Sequence, residues 1–252
     1  MIVVDRIQTF LIALALMAFA ISGCGRMPGQ PRPGPEVPRP DEVMDFTVLY
    51  QVNCSACHGA GGKGGAAIGL ADPVYLAVVD AASLRRITAN GVKGTSMPAF
   101  ARSAGGMLMD RQIDALVNGM RARWAKPDLL RGVTPPSYAA SVPGNAQHGA
   151  DVFKYFCSSC HGVDGTGGAK AGSIVDGSYL ALISDQELRT IVIAGRPEFE
   201  APDWRSNVAE HPMTDQEISD VVAWLSEQRQ QYPGQPYPSQ TKTPVPAKGG
   251  TQ

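Results

Sequence analysis

The sequence carries no charge excess. Its 22 Lys and Arg nearly balance 23 Asp and Glu, leaving a net charge of −1. That removes the global electrostatic argument for nucleic-acid binding. No hydrophobic run is long enough to cross a bilayer comfortably: the stretch FLIALALMAFAI (10–21) stops at Ser-Gly-Cys. No motif announces a nucleophile with its base, a catalytic carboxylate pair or a substrate pocket. The Gly-rich GAGGKGGA (59–66) has neither Ser nor Thr after its lysine and follows no strand, which excludes a phosphate loop. Cysteine is scarce, at five residues. Glycine and proline are plentiful, at 28 and 20, and imply long loops and linkers.

The first 23 residues read as an export signal. Arg6, offset by Asp5, precedes an apolar stretch of signal-peptide length. ISGC (21–24) resembles the lipobox of bacterial lipoproteins. That resemblance implies cleavage before Cys24, lipid on its sulfur, and a chain anchored on the periplasmic side of a bacterial membrane. Residues 24–41 form a proline-dense tether. At ~3.1 Å per residue in extended polyproline conformation it spans roughly 50 Å. Residues 231–252 form a second low-complexity segment, expected to be disordered.

The other four cysteines fall into two copies of one pattern, CSACH (54–58) and CSSCH (157–161), each followed by Gly. C-x-x-C-H is the attachment signal for c-type haem. Two thiols about a helical turn apart add to the two vinyl groups on one porphyrin edge, and the adjacent histidine reaches the iron. The motif cysteines are therefore Cys54, Cys57, Cys157 and Cys160, with His58 and His161 as proximal ligands. A zinc site would have to unite pairs lying 103 positions apart. A thioredoxin-like pair would need a preceding strand in a βαβ unit. Neither fits, and lipidation of Cys24 leaves no free thiol.

The repeat extends beyond the motifs. LRRITANGV (84–92) matches LRTIVIAGR (188–196), and DRQIDALVNGM (110–120) matches DQEISDVVAWL (215–225). Ile113, Leu116, Val117 and Met120 fall at i, i+3, i+4 and i+7, and Ile218, Val221, Val222 and Leu225 repeat that apolar face. Thr214 with Glu217, and Ser184 with Glu187, have capping-box spacing. DEVMDFTVLYQVN (41–53) and NAQHGADVFKYF (145–156) read as helices leading into the haem motifs. The order in each copy is helix, haem motif, Gly-rich loop, helix, loop, helix. Each copy resembles a class I cytochrome c domain, and the pair resembles dihaem c-type cytochromes. The fold expected is all-α, with domain 1 at 42–126, a linker at 127–143 and domain 2 at 144–230. In that family the first and last helices cross at a tight contact of glycine against an aromatic. Here the aligned pairs are Phe46 with Gly119 and Gly149 with Trp224, large and small partners exchanged between helices. A carbonyl of the Gly-rich loop is expected to orient each proximal histidine.

The resemblance also implies a sixth ligand. Met97, in GTSMPAF and 39 residues beyond His58, matches the family's ligand loop. A methionine opposite histidine raises the reduction potential and suits electron transfer. Met107 and Met109 are expected to pack. In the second copy Pro202 matches Pro98 and Trp204 matches Phe100, but Ala201 stands where Met97 does. Three outcomes stay open there: ligation by Met213, which sits where the first copy has Leu108; ligation by His211; or an iron without a protein sixth ligand. His148 reads as an exposed helix residue.

The functional expectation is a carrier of single electrons using two haem c groups, with no catalytic residue of its own. The family implies a quinol-oxidising complex as donor and a terminal oxidase as acceptor. Residues 144–231 hold 13 acidic and 6 basic side chains, which favours a basic partner surface there. The alternative is a dihaem peroxidase-like or gas-binding protein using an open position on the second haem. Glu200 and His211 are the residues nearest to a distal acid or base in sequence.

Overall fold

The computed structural model describes residues 37–230, with isolated positions 8, 10, 11, 14 and 34 before them. The signal stretch as a whole, Cys24, most of the tether and the 231–252 tail lie outside the described residues. Among the described residues no helix is long and apolar enough to cross a membrane.

Each copy builds five α-helices and one short 3-10 helix, Arg102–Ala104 in the first and Pro197–Phe199 in the second. In the first they are α1 (Phe46–Asn53), α2 (Ser55–His58), α3 (Pro73–Val78), α4 (Ala81–Asn90) and α5 (Asp110–Trp124). In the second they are α6 (Ala146–Phe156), α7 (Ser158–His161), α8 (Gly177–Leu180), α9 (Asp185–Ala194) and α10 (Asp215–Glu227). No strand occurs among the described residues; isolated bridges such as Ala101–Leu108 and Arg196–Ala201 stand in their place. Both copies fall within one compact unit that begins at Pro40.

The helix starts follow from capping. Asp45, Asp72 and Asp80 accept the amides of Val48, Tyr75 and Ser83, satisfying donors that α1, α3 and α4 would otherwise leave free. Thr214 and Glu217 form the full reciprocal box at α10. Ser184 caps α9 by accepting the Glu187 amide. Residues 41–45 do not join α1, contrary to the helix read from 41 onward. The carbonyls of Pro40 and Val43 accept from Gln112, and that of Asp41 from Arg111, so the last helix holds this stretch in a turn and irregular backbone. The short α3 and α8 lie inside the Gly-rich segments; their sequence cues are the capping Asp72 followed by Pro73 in the first and the capping Asp176 in the second.

Both apolar stripes are buried, with Ile113, Leu116 and Ile218 fully enclosed. Each such side chain contributes roughly 1.5–3 kcal/mol. The helix crossings have the anticipated pairs. A Cβ on Gly119 would lie 2.1 Å from Cδ2 of Phe46. A Cβ on Gly149 would lie 2.0 Å from the Asp220 carbonyl oxygen and 2.8 Å from Cβ of Trp224. The exchange of large and small partners has a second consequence. Trp224, in the last turn of α10, stacks on Phe153 at 4.6 Å. In the first copy the tryptophan moves to the end of α5, where Trp124 sits edge-on to Phe46 and Tyr50. Both indoles still reach the corresponding loop glycine, Gly62 or Gly165.

α6 and α10 are also joined by a polar contact that the first copy lacks. His148 Nδ1 lies 2.7 Å from Asp220 Oδ2, and the Asp220 carboxylate also accepts from the Asn145 amide and Gln216. Residue 145 onward is thereby tied to the last helix. The hydrogen bond to Asp220 raises the His148 pKa. Burial works against the Asp220 carboxylate, but His148, Asn145 and Gln216 together hold its pKa below the usual value.

The linker is a strap packed on α9 and α10. The Ser137 carbonyl accepts from Arg189 Nε and Nη2 at 3.0 and 2.9 Å, and Gln186 donates to the Tyr138 carbonyl at 2.7 Å. Asp215 accepts from the Ser137 amide and the Ser141 hydroxyl and pairs with Arg189. Arg189 is fully buried, its remaining nitrogen donating to Ser219.

Two outcomes follow from these contacts. Gly119→Ala forces the added methyl into the Phe46 ring and should cost about 1–3 kcal/mol in denaturant unfolding. Most of that loss should disappear when Phe46 is first shortened to Leu. The His148–Asp220 contact should stabilise the second copy most between the unfolded pKa values of Asp and His, about 3.9 and 6.5. Its histidine share fades as pH rises through the raised His148 pKa, and its aspartate share as pH falls through the lowered Asp220 pKa. Thermal unfolding between pH 6 and 8.5 should therefore fall more steeply for the native protein than for His148→Gln.

Candidate haem-binding sites

In the first copy α1 ends at Cys54, and the next turn, α2, carries Cys57 and His58. Asn53 and Ser55 brace it by donating to the carbonyls of Leu49 and Gln51. Tyr50, nearly enclosed, donates its hydroxyl to the Gly59 carbonyl at 2.9 Å. Burial, with a smaller contribution from Cys54, pushes its pKa to about 12, so it stays a donor. His58 is buried, and its Nδ1 lies 2.8 Å from the Ile68 carbonyl. A carbonyl only accepts, so the proton sits on Nδ1 and Nε2 keeps its lone pair. Burial lowers the His58 pKa, which favours that neutral ring. In the second copy His161 repeats the contact, with Nδ1 2.8 Å from the Gly172 carbonyl. The loop carbonyls thus hold both rings in the orientation expected for a metal ligand.

None of the four motif cysteines is in a disulfide. Burial pushes the thiols of Cys54 and Cys157 up to about 11, with Cys57 and Cys160 adding to the effect.

Cys54, Cys57, His58 and Met97 line one cavity of about 360 Å³, together with Leu70, Tyr75, Leu84 and Phe100. Two soft sulfur nucleophiles, a neutral imidazole and a thioether on a largely apolar wall match the needs of a covalently held iron porphyrin. The cavity does not end at the first copy. Tyr179, Leu182, Ile183, Gln186, Glu187 and Thr190 from α8–α9, and Tyr138 from the strap, complete its wall. Glu187 is the only acidic group there, and burial raises its pKa. Nothing in the repeat pattern pointed to these residues, because they contribute across the copies and not within one.

The ligand loops superpose in their hydrogen bonding. The Val92 amide donates to the Met97 carbonyl, and the Arg196 amide to the Ala201 carbonyl. Phe100 and Trp204 donate to Ala89 and Ile193 in the same way. Before each loop stands a glycine in left-handed backbone, Gly91 (φ 66°) and Gly195 (φ 72°). A Cβ there would meet the carbonyl oxygen of Met97 or Ala201 at 2.6 Å, so only glycine allows the loop to fold back. Ala201 is therefore the structural counterpart of Met97. Met213 occupies the Leu108 position: its amide donates to Trp204 as that of Leu108 does to Phe100. His211 is about half exposed and packs beside Tyr155 and Phe156. His148 lies exposed on α6, as expected, apart from its aspartate contact. Met107 does not pack as anticipated. It is 82 % exposed, because the turn at 102–106 lifts it off the core while Leu108 turns in.

The ligand loop of the second copy touches the haem loop of the first. Arg196 donates to the Gly65 carbonyl at 3.0 Å and pairs with Glu198 at 2.7 Å, its cation 4.9 Å from the Phe199 ring.

Comparison with known proteins agrees with this arrangement. Residues 41–118 match the family model "Cytochrome C oxidase, cbb3-type, subunit III", and residues 146–229 match "Cytochrome c". The chain is a tandem of two cytochrome c-type domains, and it carries two covalently bound haem c groups. More particularly, it is homologous to the CcoP/FixP dihaem cytochromes. It is 32 % identical over 133 residues to the cbb3-type cytochrome c oxidase subunit FixPc of Rhizobium leguminosarum bv. viciae, covering 49 % of this chain and 40 % of that protein. It is 28 % identical over 151 residues to dihydro-heme d1 dehydrogenase of Pseudomonas aeruginosa, covering 58 % of this chain and 26 % of that protein. The chain thus spans well under half the length of these relatives. A chain of the Kuenenia stuttgartiensis reducing HAO-like protein complex aligns over 77 % of this chain at 16 % identity, with a TM-score of 0.44.

Arg196→Leu removes the donor to Gly65 and leaves the largely enclosed Glu198 without its partner. It should cost about 1–3 kcal/mol. Limited proteolysis should then cut faster between the two domains than in the native protein.

Proposed function

We propose that this chain carries single electrons between a quinol-oxidising complex and a terminal oxidase at the periplasmic face of a bacterial membrane. In this reading Cys54 and Cys57 would hold the first haem through their sulfurs, and His58 and Met97 would ligate its iron. Cys157, Cys160 and His161 hold the second. Lipid on Cys24 and the proline-dense tether keep both domains near the membrane. The likeness to oxidase subunits supports the acceptor. The acidic excess of residues 144–231 supports a basic partner surface at the second domain.

One observation carries the reading: the cavity holding Cys54, Cys57, His58 and Met97 is walled by residues of the second domain. The haem supplies a reversible one-electron iron couple. The chain does the rest. Ile68 and Gly172 carbonyls fix the imidazoles, the thioether of Met97 would favour reduced iron in the bound group, and Tyr138 with α8–α9 keeps bulk water from one side of the first site.

Met97→Ala should abolish the methionine–iron charge-transfer band of the oxidised protein. It should also lower one of the two reduction potentials, by a sizeable part of the ~0.8 V range that axial ligation controls. Magnetic circular dichroism with a redox titration reads both. An unchanged band would refute Met97 as ligand.

A further inference from the structure

The ligand loops differ in their sulfur, and the structure shows what does not replace it. Ala201 holds the Met97 place by its backbone hydrogen bonds and brings only a methyl. Met213 is the nearest sulfur in sequence, but the fold uses it elsewhere. It is 2 % exposed, in one buried cluster with Phe156, Ile193, Trp204 and Ile218. Its amide is fixed to the Trp204 carbonyl, and its sulfur faces the Asn207 amide nitrogen at 3.8 Å. Its counterpart Leu108 is absent from the wall of the first haem cavity, whereas Met97 and Phe100 line it. His211 points its Nε2 toward Glu217, 3.5 Å away, with its ring against Tyr155 and Phe156. His148 is tied to Asp220. Met213, His211 and His148 therefore each have another engagement.

We infer that the second iron, held through His161, keeps its sixth position for a small exogenous ligand, and that this ligand is a neutral diatomic gas. The class follows from charge. The loop around Ala201 carries Glu198, Glu200 and Asp203, where the first domain has Lys93 and no acid between Val92 and Ala101. Glu198 and Asp203 are matched by Arg196 and Arg205, and Glu200 lies exposed. A net-negative loop repels anions such as cyanide or azide and leaves neutral ligands unaffected. The first iron, closed by Met97, does not share this property. The inference rests on the haem assignments proposed above and adds a binding activity to one of the two sites.

The test uses the full holoprotein, reduced and titrated with carbon monoxide while the Soret band is followed. The expected result is one carbon monoxide per two haems in the native protein. Met213→Leu, the residue found at the equivalent place in the first domain, should leave that ratio at one. Ala201→Met should bring it to zero and add a second methionine–iron band. Two haems per chain with no carbon monoxide bound would overturn this inference alone. So would uptake that appears only in Met213→Leu. Fewer than two haems per chain would instead overturn the haem assignments beneath it. Should Ala201→Met fail to fold, the native and Met213→Leu titrations decide the matter.

Discussion

Each domain is organised by the crossing of its first helix with its last, at a point where one side must be glycine. Gly119 lies under Phe46, and Gly149 lies under Trp224 and the backbone of α10. With no side chain between them, the helices approach closely enough that the turn after the first helix is held against the core. That turn carries the two thiols and the histidine. A loop carbonyl then sets the imidazole, from Ile68 in one domain and Gly172 in the other. The chemistry of the sites thus depends on a packing contact that touches neither. Only the requirement is common to the two domains; which helix supplies the glycine is not. Moving Trp124 to the end of α5 lets an indole reach the same loop glycine from a different starting point.

Much of this was legible in the residues. The C-x-x-C-H pairs are short covalent motifs whose spacing is dictated by the porphyrin. The stripes of α5 and α10, the glycine crossings and the Thr214 cap are local or periodic, and the structure has them where the pattern put them. The ligand loops aligned correctly, down to Ala201 opposite Met97. The rest was not readable, for reasons that can be named. Residues 41–45 look helical by composition, but Arg111 and Gln112 of α5 take their carbonyls. Met107 is apolar and lies next to a buried leucine, yet a turn leaves it in solvent. The side chains of Tyr138, Tyr179 and Glu187 that wall the first cavity come from outside that domain. Contacts between repeats have no period, so no pattern within one repeat reports them.

The repeat also shows how one scaffold diverges without losing its shape. The hydrogen bonds that fold each ligand loop back on its glycine involve only backbone, so Met97 and Ala201 are interchangeable as far as the fold is concerned. Stability therefore places no demand for sulfur at that position. The polar latch of His148 and Asp220 belongs to one domain, and the cation of Arg123 over the Phe46 ring, at 4.3 Å, belongs to the other. Both act on the same helix junction by different physics.

The strap between the domains has a kinetic meaning. A slack connector would leave the two halves to find each other by diffusion, at an effective concentration set by its length. Here Arg189 and Asp215 pin Ser137 and Ser141, and Tyr138 is laid against α9. The gap between the halves is set when the chain folds, not on each encounter. Exchange between them is then a first-order event, indifferent to viscosity and to how dilute the protein is.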